Sequence, residues 1–567
     1  MSNEPIIPKY SWSKWILAIL VGIPAVAGTY YFMTKKQPKI TDSDKNGICK
    51  PSKKKTAPKD DSSEIKPENN KVEKEETPLE RSMKLKNLGN SFYKKGEYND
   101  AIRCYTEAIS MCPTSDTEHL ATLYQNRAAS YDVLNETQKI VDDCTAALKL
   151  KPDYLKALTR RYKAAEKIGK IRQALEDVTA VCLLENFNNM ETLSAADRIL
   201  KVIGKEEADK FMKSRSIVLP SDYFIKAYFA SFAHDPVIAD LPKTVTSDKE
   251  LRGIDKAKQA MVEEKYSEII GACTEELESP SSDKAKEHAL LLRSSMYILT
   301  WQIKEAMTDL TFLINTSSDV KIQANALLKR ACLFMQAEEI DNAMADFDKA
   351  AIIDPSNPDI PHQRAQMYLL GEKLEEAVEE FQKAITLHPT SGLVLVQKLY
   401  AEYRLGISRN DTSIAQTAKK GLQNAINKFP NTPEGYMLLA QVYNDAQDYE
   451  KAEATFDLGI KADEKNASIL VHKGLLYLQW KGDIEKASKL IEKGIEVDPK
   501  CEFAYETLAS IEVQKGNLMR AVTLFDKALP LAKSEKEASH ILSLRAAAQA
   551  QMVVLSQSLG GREHHVF

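Results

Sequence analysis

A repeat that returns every 34 residues constrains the fold of this chain more than any other feature of its sequence. The stretch that begins at Ala324 and the stretch that begins at Pro358 carry the same small and large apolar residues at the same offsets. The shared columns are Arg330, Ala331, Phe334, Ala343, Phe347, Ala350 and Pro355 in the first copy, and Arg364, Ala365, Tyr368, Ala377, Phe381, Ala384 and Pro389 in the second. A period of this length is typical of a helical solenoid built from antiparallel helix pairs. We therefore predict an all-α fold.

The columns have a physical meaning that identifies the type of repeat. Small residues lie where two helices must approach closely, aromatic residues fill the space beside them, and proline ends the second helix. This pattern is identified as the tetratricopeptide repeat, and we count about eleven copies, three before Asn189 and eight after Gly253. Solenoids of this kind present long grooved surfaces, so binding of other proteins is the expected activity.

The sequence predicts seven segments along the chain. Residues 189–253 interrupt the repeats and contain an aromatic run from Ser216 to Asp235, which we interpret as a helical bridge that packs the first array onto the second. The segments are a short N-terminal piece facing the intermembrane space (1–14), a transmembrane signal anchor (15–33), a disordered charged tether (34–78), a three-repeat array (79–188), the bridge (189–253), a C-terminal repeat array (254–535), and a capping helix with a tail (536–567).

The predicted anchor is a stretch of 19 residues without a charge, residues 15–33. At a rise of about 1.5 Å per residue it would span roughly 28 Å, close to the hydrocarbon thickness of a bilayer. A cleaved signal peptide is the alternative, but bulky residues and lysines occupy the place of a small-residue cleavage site. More lysines follow the span than precede it, which places the bulk of the chain in the cytosol. Its moderate hydrophobicity and basic C-terminal flank favour the mitochondrial outer membrane over the endoplasmic reticulum.

Composition and motifs exclude several classes of function. A net charge of −4 is unlike that of a nucleic-acid-binding protein. The eight cysteines include no CxxC pair, so we expect neither a metal site nor a disulfide framework. HExxH, GxSxG, P-loop and GxGxxG motifs are all absent from the sequence. We therefore expect no enzymatic activity and no cofactor. An enzyme that carries tetratricopeptide repeats would need a separate catalytic domain, for which the chain has no room.

Five polar residues of the first array form the candidate binding site. Lys86 and Asn90 lie four residues apart on the predicted first helix of repeat one, and Lys156 and Arg160 do so in repeat three. With Asn126 of repeat two, they lie on the inner faces of consecutive first helices. Cations and asparagine amides that converge in one groove would bind paired carboxylates. A later repeat holds different residues at the same offsets, namely Asp359, His362, Gln363 and Gln366.

The residues Lys86, Asn90, Asn126, Lys156 and Arg160 resemble the carboxylate clamp of tetratricopeptide cochaperones. That resemblance implies heat-shock chaperones of the 70- and 90-kDa classes as partners, bound through their C-terminal Glu-Glu-Val-Asp. The full layout of anchor, tether, clamp array, bridge and second array resembles the 70-kDa family of import receptors of the mitochondrial outer-membrane translocase.

Membership of that family implies that the chain receives chaperone-bound precursors, especially inner-membrane carriers with internal targeting signals. It would pass them to the translocation pore together with other translocase subunits. The precursor-binding residues stay unknown at this point, although an apolar groove in the second array is expected. The alternative is a tetratricopeptide cochaperone anchored in another membrane, such as the endoplasmic reticulum.

Overall fold

The computed structural model describes residues 76–242 and 251–559, and all regular secondary structure in these ranges is helical. The predicted anchor, the tether up to residue 75 and the tail from Gly560 lie outside the described residues. Within the ranges described, no helix is both long and apolar enough to cross a membrane. The described residues divide into two units, a first unit that consists mainly of residues 76–196 and a second unit that lies within Asp197–Leu555.

The described part of the first unit contains three helix pairs and the start of a seventh helix. Thr77 caps the first helix, since its side chain accepts from Glu80 N while the Glu80 carboxylate accepts from Thr77 N. Gly96 ends this helix at φ +87°, a left-handed conformation that glycine adopts without a steric cost. The helices are α1 Pro78–Lys95, α2 Tyr98–Met111, α3 Thr117–Val133, α4 Thr137–Leu150, α5 Leu155–Lys167, α6 Ile171–Leu184 and α7 Met190–Ser214.

The second unit contains eight further helix pairs between two short bridge helices and a long C-terminal helix. The bridge helices are α8 Asp222–Ala230 and α9 Pro236–Ala239. The pairs are formed by α10 Gly253–Val262, α11 Ile269–Glu278, α12 Asp283–Leu299, α13 Ile303–Thr316, α14 Val320–Gln336, α15 Ile340–Ile353, α16 Asp359–Leu370, α17 Leu374–Leu387, α18 Gly392–Ser408, α19 Thr412–Lys428, α20 Pro433–Asp445, α21 Tyr449–Ala462, α22 Ala467–Lys481, α23 Ile484–Val497, α24 Glu502–Gln514 and α25 Leu518–Ala528. The C-terminal helix is α26 Glu535–Leu559.

The eleven helix pairs of the described residues confirm the predicted repeat fold. The small residues of the repeat are buried where the two helices of a pair meet, which is the reason for their size. A Cβ atom at Gly89 of α1 would lie 2.6 Å from the Tyr105 ring of α2. The alanines of the same kind are 0% exposed at Ala101, Ala343, Ala377, Ala452, Ala487 and Ala521.

A ladder of ion pairs joins the two helices within five of the repeats. In each case an arginine of the first helix binds an acid 16 residues later on the second helix, and the shortest N–O distance of each pair is 2.6–2.8 Å. The arginine side chains are only 14–18% exposed. The pairs are Arg127–Asp143, Arg161–Asp177, Arg293–Asp309, Arg330–Asp346 and Arg364–Glu380. These arginines are structural, and they mark equivalent positions in different repeats.

The bridge region packs along the inside of the second unit. Residues 215–240 are here called the strap. From its N-terminal to its C-terminal end, the strap contacts first the C-terminal end of the second unit and last the first repeat of that unit. Its side chains Ile225, Tyr228, Phe229 and Phe232 are 0–6% exposed in the core of the second unit. Its polar contacts are Arg215 with Ala532, Leu219 with Lys500, Ser231 with Gln363, His234 with Asp359, Asp235 with Lys329 and Asp240 with Lys258. The expectation that the bridge also packs against the first array stays a prediction.

The C-terminal helix α26 packs closely on α7. Ser543 Oγ donates to the carbonyl of Leu200 at 3.0 Å. A Cβ atom at Gly204 would lie 2.4 Å from the carbonyl oxygen of Ser539, so only glycine allows this approach. Residues Ala538 and Ile541 of α26 are fully buried against the last repeat. The apolar end of the solenoid is thereby covered.

Candidate functional site

The five predicted site residues lie on the first helices of the three repeats in the first unit. Lys86 and Asn90 are on α1, Asn126 is on α3, and Lys156 and Arg160 are on α5. Lys156 is exposed, and the other four side chains are half-buried. The structure brings Asn90 and Asn126 into direct contact, because Asn126 Nδ2 donates to Asn90 Oδ1 at 3.2 Å.

Asn90 is held with its carbonyl oxygen turned inward. Asn90 Oδ1 accepts two hydrogen bonds, from Asn126 and from Tyr105 OH at 2.8 Å. Burial raises the pKa of Tyr105 to about 12, so its hydroxyl stays protonated and serves as a donor. Since both bonds go to the oxygen, the amide NH₂ of Asn90 remains to donate to a ligand.

Lys86 lies beside a buried histidine. The imidazole of His119 is 7% exposed, and its Nε2 is 3.2 Å from Ser82 Oγ. Burial first, and the nearby Lys86 ammonium second, lower the pKa of His119. His119 is therefore neutral at pH 7 and adds no positive charge to the site. Among the residues that the structure describes, neither Lys86 nor Lys156 has an ion-pair partner.

Two adjacent arginines of α5 differ sharply in how their guanidinium groups are used. Arg161 belongs to the ladder, with Nε and Nη2 bound to Asp177 and Nη1 donating to Thr145. Arg160 has a single contact of this kind, from Nε to Asp132 Oδ2 at 3.2 Å. Its Nη1 atom is buried and has no hydrogen-bond partner among the described residues. A buried donor without a partner costs about 1–3 kcal/mol, so a small shift of the partly exposed guanidinium that brings Nη1 to an incoming acceptor is favoured.

The same positions in the second unit bind the strap. Arg160 immediately precedes a ladder arginine, and Lys329 and Gln363 do so in later repeats. The Lys329 ammonium forms a fully buried ion pair with Asp235 of the strap, and Gln363 Nε2 donates to the carbonyl of Ser231 at 3.0 Å. Side chains at this position therefore point toward whatever lies in the groove.

A second position behaves in the same way. Lys156 precedes its ladder arginine by five residues, as Asp359 does. Asp359 accepts from the backbone N of His234 at 2.7 Å, and its other oxygen is 3.1 Å from His234 Nδ1. Burial of this carboxyl (4% exposed) against the strap shows that the position faces the groove in the second unit as well.

Sequence reasoning missed three residues that matter to this geometry. Tyr105 orients Asn90, Asp132 contacts Arg160, and Lys329 repeats the cation of Arg160 in the second unit. The signal for Lys329 was available, since it precedes Arg330 as Arg160 precedes Arg161. The roles of Tyr105 and Asp132 depend on packing between helices and have no local sequence signal.

The described residues offer no group of three or more metal-ligating side chains in a common site. The cysteines of this part of the chain are unpaired, and all are buried except Cys501, which is half-buried. The chemistry available at the clamp is therefore charge and hydrogen bonding from cations and amides.

Comparison with known proteins finds the repeat itself and one solved structure that is similar over most of the chain. A family model described as tetratricopeptide repeat matches residues 84–115, and a second of the same description matches residues 433–466 and 467–501. The solved structure of yeast Tom70 matches with a TM-score of 0.47 and 24% identity, covering 85% of this chain and 99% of that chain.

Curated relatives extend over nearly the whole sequence. The mitochondrial import receptor subunit TOM70 of Homo sapiens is 42% identical over 564 residues, which cover 95% of this chain and 92% of the relative. The TOM70 of Rattus norvegicus is 42% identical over 561 residues, with the same coverage. Identity at this level over almost the full length of both chains shows the relationship, so the chain belongs to the TOM70 family of mitochondrial import receptor subunits, a family that is non-enzymatic in kind.

Proposed function

We propose that the first unit of this import receptor binds the acidic C-terminus of a cytosolic chaperone of the 70- or 90-kDa heat-shock class. The observation that carries the proposal is the guanidinium of Arg160, which is partly exposed and whose Nη1 atom has no partner among the described residues, in the same array as two lysines that lack ion-pair partners there. A peptide that ends in Glu-Glu-Val-Asp supplies side-chain carboxylates and a terminal carboxylate. Such groups make charge-assisted hydrogen bonds with lysine, arginine and asparagine donors.

The second unit supports this proposal through its own strap. There, a cation at the position of Arg160 binds a strap carboxylate, and an acid at the position of Lys156 binds a strap histidine. The groove side of the repeats is therefore a peptide-binding side in one unit of this chain. In the first unit the side chains at the corresponding positions are cationic or carry amides. No segment of the described residues occupies the groove beside them, so the groove suits an acidic ligand from another protein.

The remaining parts of the proposal concern location and clients. Residues 15–33 anchor the chain in the mitochondrial outer membrane by a single span, with the two units in the cytosol. The clients are mitochondrial precursors, especially inner-membrane carriers with internal targeting signals, and the second unit holds them and passes them to other translocase subunits. The strap already occupies the groove side of α14 and α16, so precursor segments bind elsewhere on this unit.

Binding of a Glu-Glu-Val-Asp peptide to the full chain in detergent micelles tests the clamp. Arg160→Ala should weaken binding by about 30-fold, which corresponds to roughly 2 kcal/mol for a charged hydrogen bond. Lys156→Ala should weaken it as well. Lys149→Ala is the matched control, because Lys149 is an exposed lysine of α4, the second helix of its pair, and should leave the affinity unchanged. Equal affinity of wild type and Arg160→Ala for the peptide would contradict the proposed clamp.

Imaging decides between the mitochondrial and the endoplasmic-reticulum alternatives. Residues 1–40 fused to a fluorescent protein should label mitochondria. Protease added to intact mitochondria should digest the two units if they face the cytosol, whereas protection of both units would contradict the proposed topology.

A further inference from the structure

We propose that Asp132 is a positioning residue of the clamp, which holds the Arg160 guanidinium by one edge so that its other edge faces the bound carboxylate. The inference rests on the proposed chaperone-binding function of the first unit. Asp132 lies in the last turn of α3, and its Oδ2 accepts from Arg160 Nε at 3.2 Å across the two repeats. The contact is partly exposed, with side-chain exposures of 22% for Arg160 and 46% for Asp132.

The geometry of the contact separates positioning from charge neutralisation. A guanidinium is planar and carries five N–H donors in a fixed fork, so a bond at Nε sets the direction of both Nη groups. In the neighbouring Arg161, Nε and Nη2 both donate to the Asp177 carboxylate, so this edge of the guanidinium is bound within the fold. Asp132 takes only Nε of Arg160 and leaves Nη1 without a partner among the described residues.

Asp132 also carries two costs that a purely structural residue would avoid. A carboxylate in the last turn of a helix interacts unfavourably with the helix dipole. Its negative charge further opposes an acidic ligand in the same groove. The expected benefit must therefore come from the hydrogen bond to Arg160.

The second unit provides an internal comparison. Lys329 occupies the position of Arg160, and its carboxylate partner Asp235 is part of the chain itself. The residue that corresponds to Asp132 relative to Lys329 is Ile298, which is 4% exposed and cannot accept a hydrogen bond from the cation through its side chain. An accompanying acid is thus present where the cation's ligand comes from outside the described chain, and absent where the ligand is built in.

The test compares two substitutions of Asp132 that remove the same charge. Asp132→Asn keeps an oxygen that can accept from Arg160 Nε, whereas Asp132→Ala removes it. In full-chain protein in detergent micelles, the affinity for a Glu-Glu-Val-Asp peptide should stay at the wild-type level or tighten up to about fivefold in Asp132→Asn. It should be about five- to tenfold weaker in Asp132→Ala than in Asp132→Asn, as expected for one net hydrogen bond of about 1 kcal/mol.

Two controls make the outcome specific. Asp142→Ala removes an exposed acid of α4 and should change the affinity by less than about twofold, since the loss of one distant surface charge is largely screened. In an Arg160→Ala background, Asp132→Ala should cause no further weakening, because Asp132 acts through Arg160.

The possible failures are distinguishable. If Arg160→Ala weakens binding but Asp132→Ala binds as tightly as Asp132→Asn, the positioning role of Asp132 is wrong and the clamp stands. If Arg160→Ala has no effect, the proposed function itself is wrong, and the role of Asp132 falls with it. A further loss from Asp132→Ala in the Arg160→Ala background would show that Asp132 acts through the fold rather than through Arg160.

Discussion

Lys329→Met tests whether the strap is fastened to the second unit by a buried ion pair. The Lys329 and Asp235 side chains are 0% and 2% exposed, so both charges have lost their water. Removing one partner of such a pair leaves the other charge buried and costs about 3–5 kcal/mol. Asp235 is not left entirely bare, because its Oδ1 accepts from Val237 N at 2.8 Å. We therefore expect a loss near the lower end, about 3 kcal/mol.

Urea unfolding of the full chain, followed by tryptophan fluorescence, measures this loss. Trp301 and Trp480 both belong to the second unit and report its unfolding. With a urea dependence of about 3 kcal/mol per molar, the midpoint should fall by about 1 M. The double variant Lys329→Met with Asp235→Asn should recover part of this loss, because it leaves no unpaired buried charge.

Lys383→Met is the matched control for the same substitution. The Lys383 ammonium contacts Glu380 at 2.6 Å, but its side chain is 59% exposed. An ion pair whose lysine is this exposed contributes about 0–1 kcal/mol, and the buried Glu380 keeps its ion pair with Arg364 when the Lys383 ammonium is removed. If Lys329→Met and Lys383→Met shifted the midpoint equally, burial would not govern the strength of the strap contact, and the reasoning would be refuted.

Three further predictions follow from individual contacts. Arg161→Ala should lower the free energy of unfolding by about 3 kcal/mol, because it leaves the buried Asp177 carboxylate without its ion-pair partner. Arg160→Ala should change the free energy of unfolding by less than about 1 kcal/mol. Thermal melts of the two variants check this contrast. Gly89→Ala should lower the free energy of unfolding by about 1–3 kcal/mol and weaken Glu-Glu-Val-Asp peptide binding, because the new Cβ displaces the Tyr105 ring that orients Asn90. A thermal melt and a peptide titration of the same sample test the two effects. Unchanged peptide affinity would contradict the role of Tyr105 in orienting Asn90. Glu537 is 2% exposed and burial raises its pKa to about 7, so the folded state keeps a proton that the unfolded chain releases near its usual pKa of about 4.3. The stability that Glu537 contributes is therefore lost as pH rises from its unfolded-state pKa to its folded-state pKa. The melting temperature of Glu537→Gln minus that of wild type should increase between about pH 5 and 7 and stay constant above about pH 7. A constant difference between about pH 5 and 7 would contradict the raised pKa of Glu537.

The repeat fold, and the helix faces on which the candidate clamp residues lie, could be predicted from the sequence because both depend on local spacing. Helical periodicity places Lys86 with Asn90, and Lys156 with Arg160, on one helix face without knowledge of the neighbours. Small residues recur at fixed positions of the repeat because the two helices must approach closely there. Their burial, for example at Ala343 and Ala377, confirms the predicted repeat fold. That the five clamp residues act as a binding site stays a prediction.

The state of each charge could not be predicted from the sequence. Arg160 and Arg161 are adjacent and chemically identical, yet Arg161 makes a two-bond ion pair within the fold, whereas Arg160 has a donor atom with no partner among the described residues. The difference arises because Arg161 faces the second helix of its own pair and Arg160 faces the groove, which only the packing of helices determines.

The strap shows the same limit over a longer range. The aromatic run marked residues 216–235 as a buried segment, but Asp235 meets Lys329 across 94 residues of chain. The sequence by itself determined the period, the helix pairs and the cationic residues of the first unit, because these depend on contacts within one repeat. The tertiary structure alone decided which groove positions are already filled and which remain open, because that depends on how stacked repeats bring distant side chains together in a shared, water-poor space.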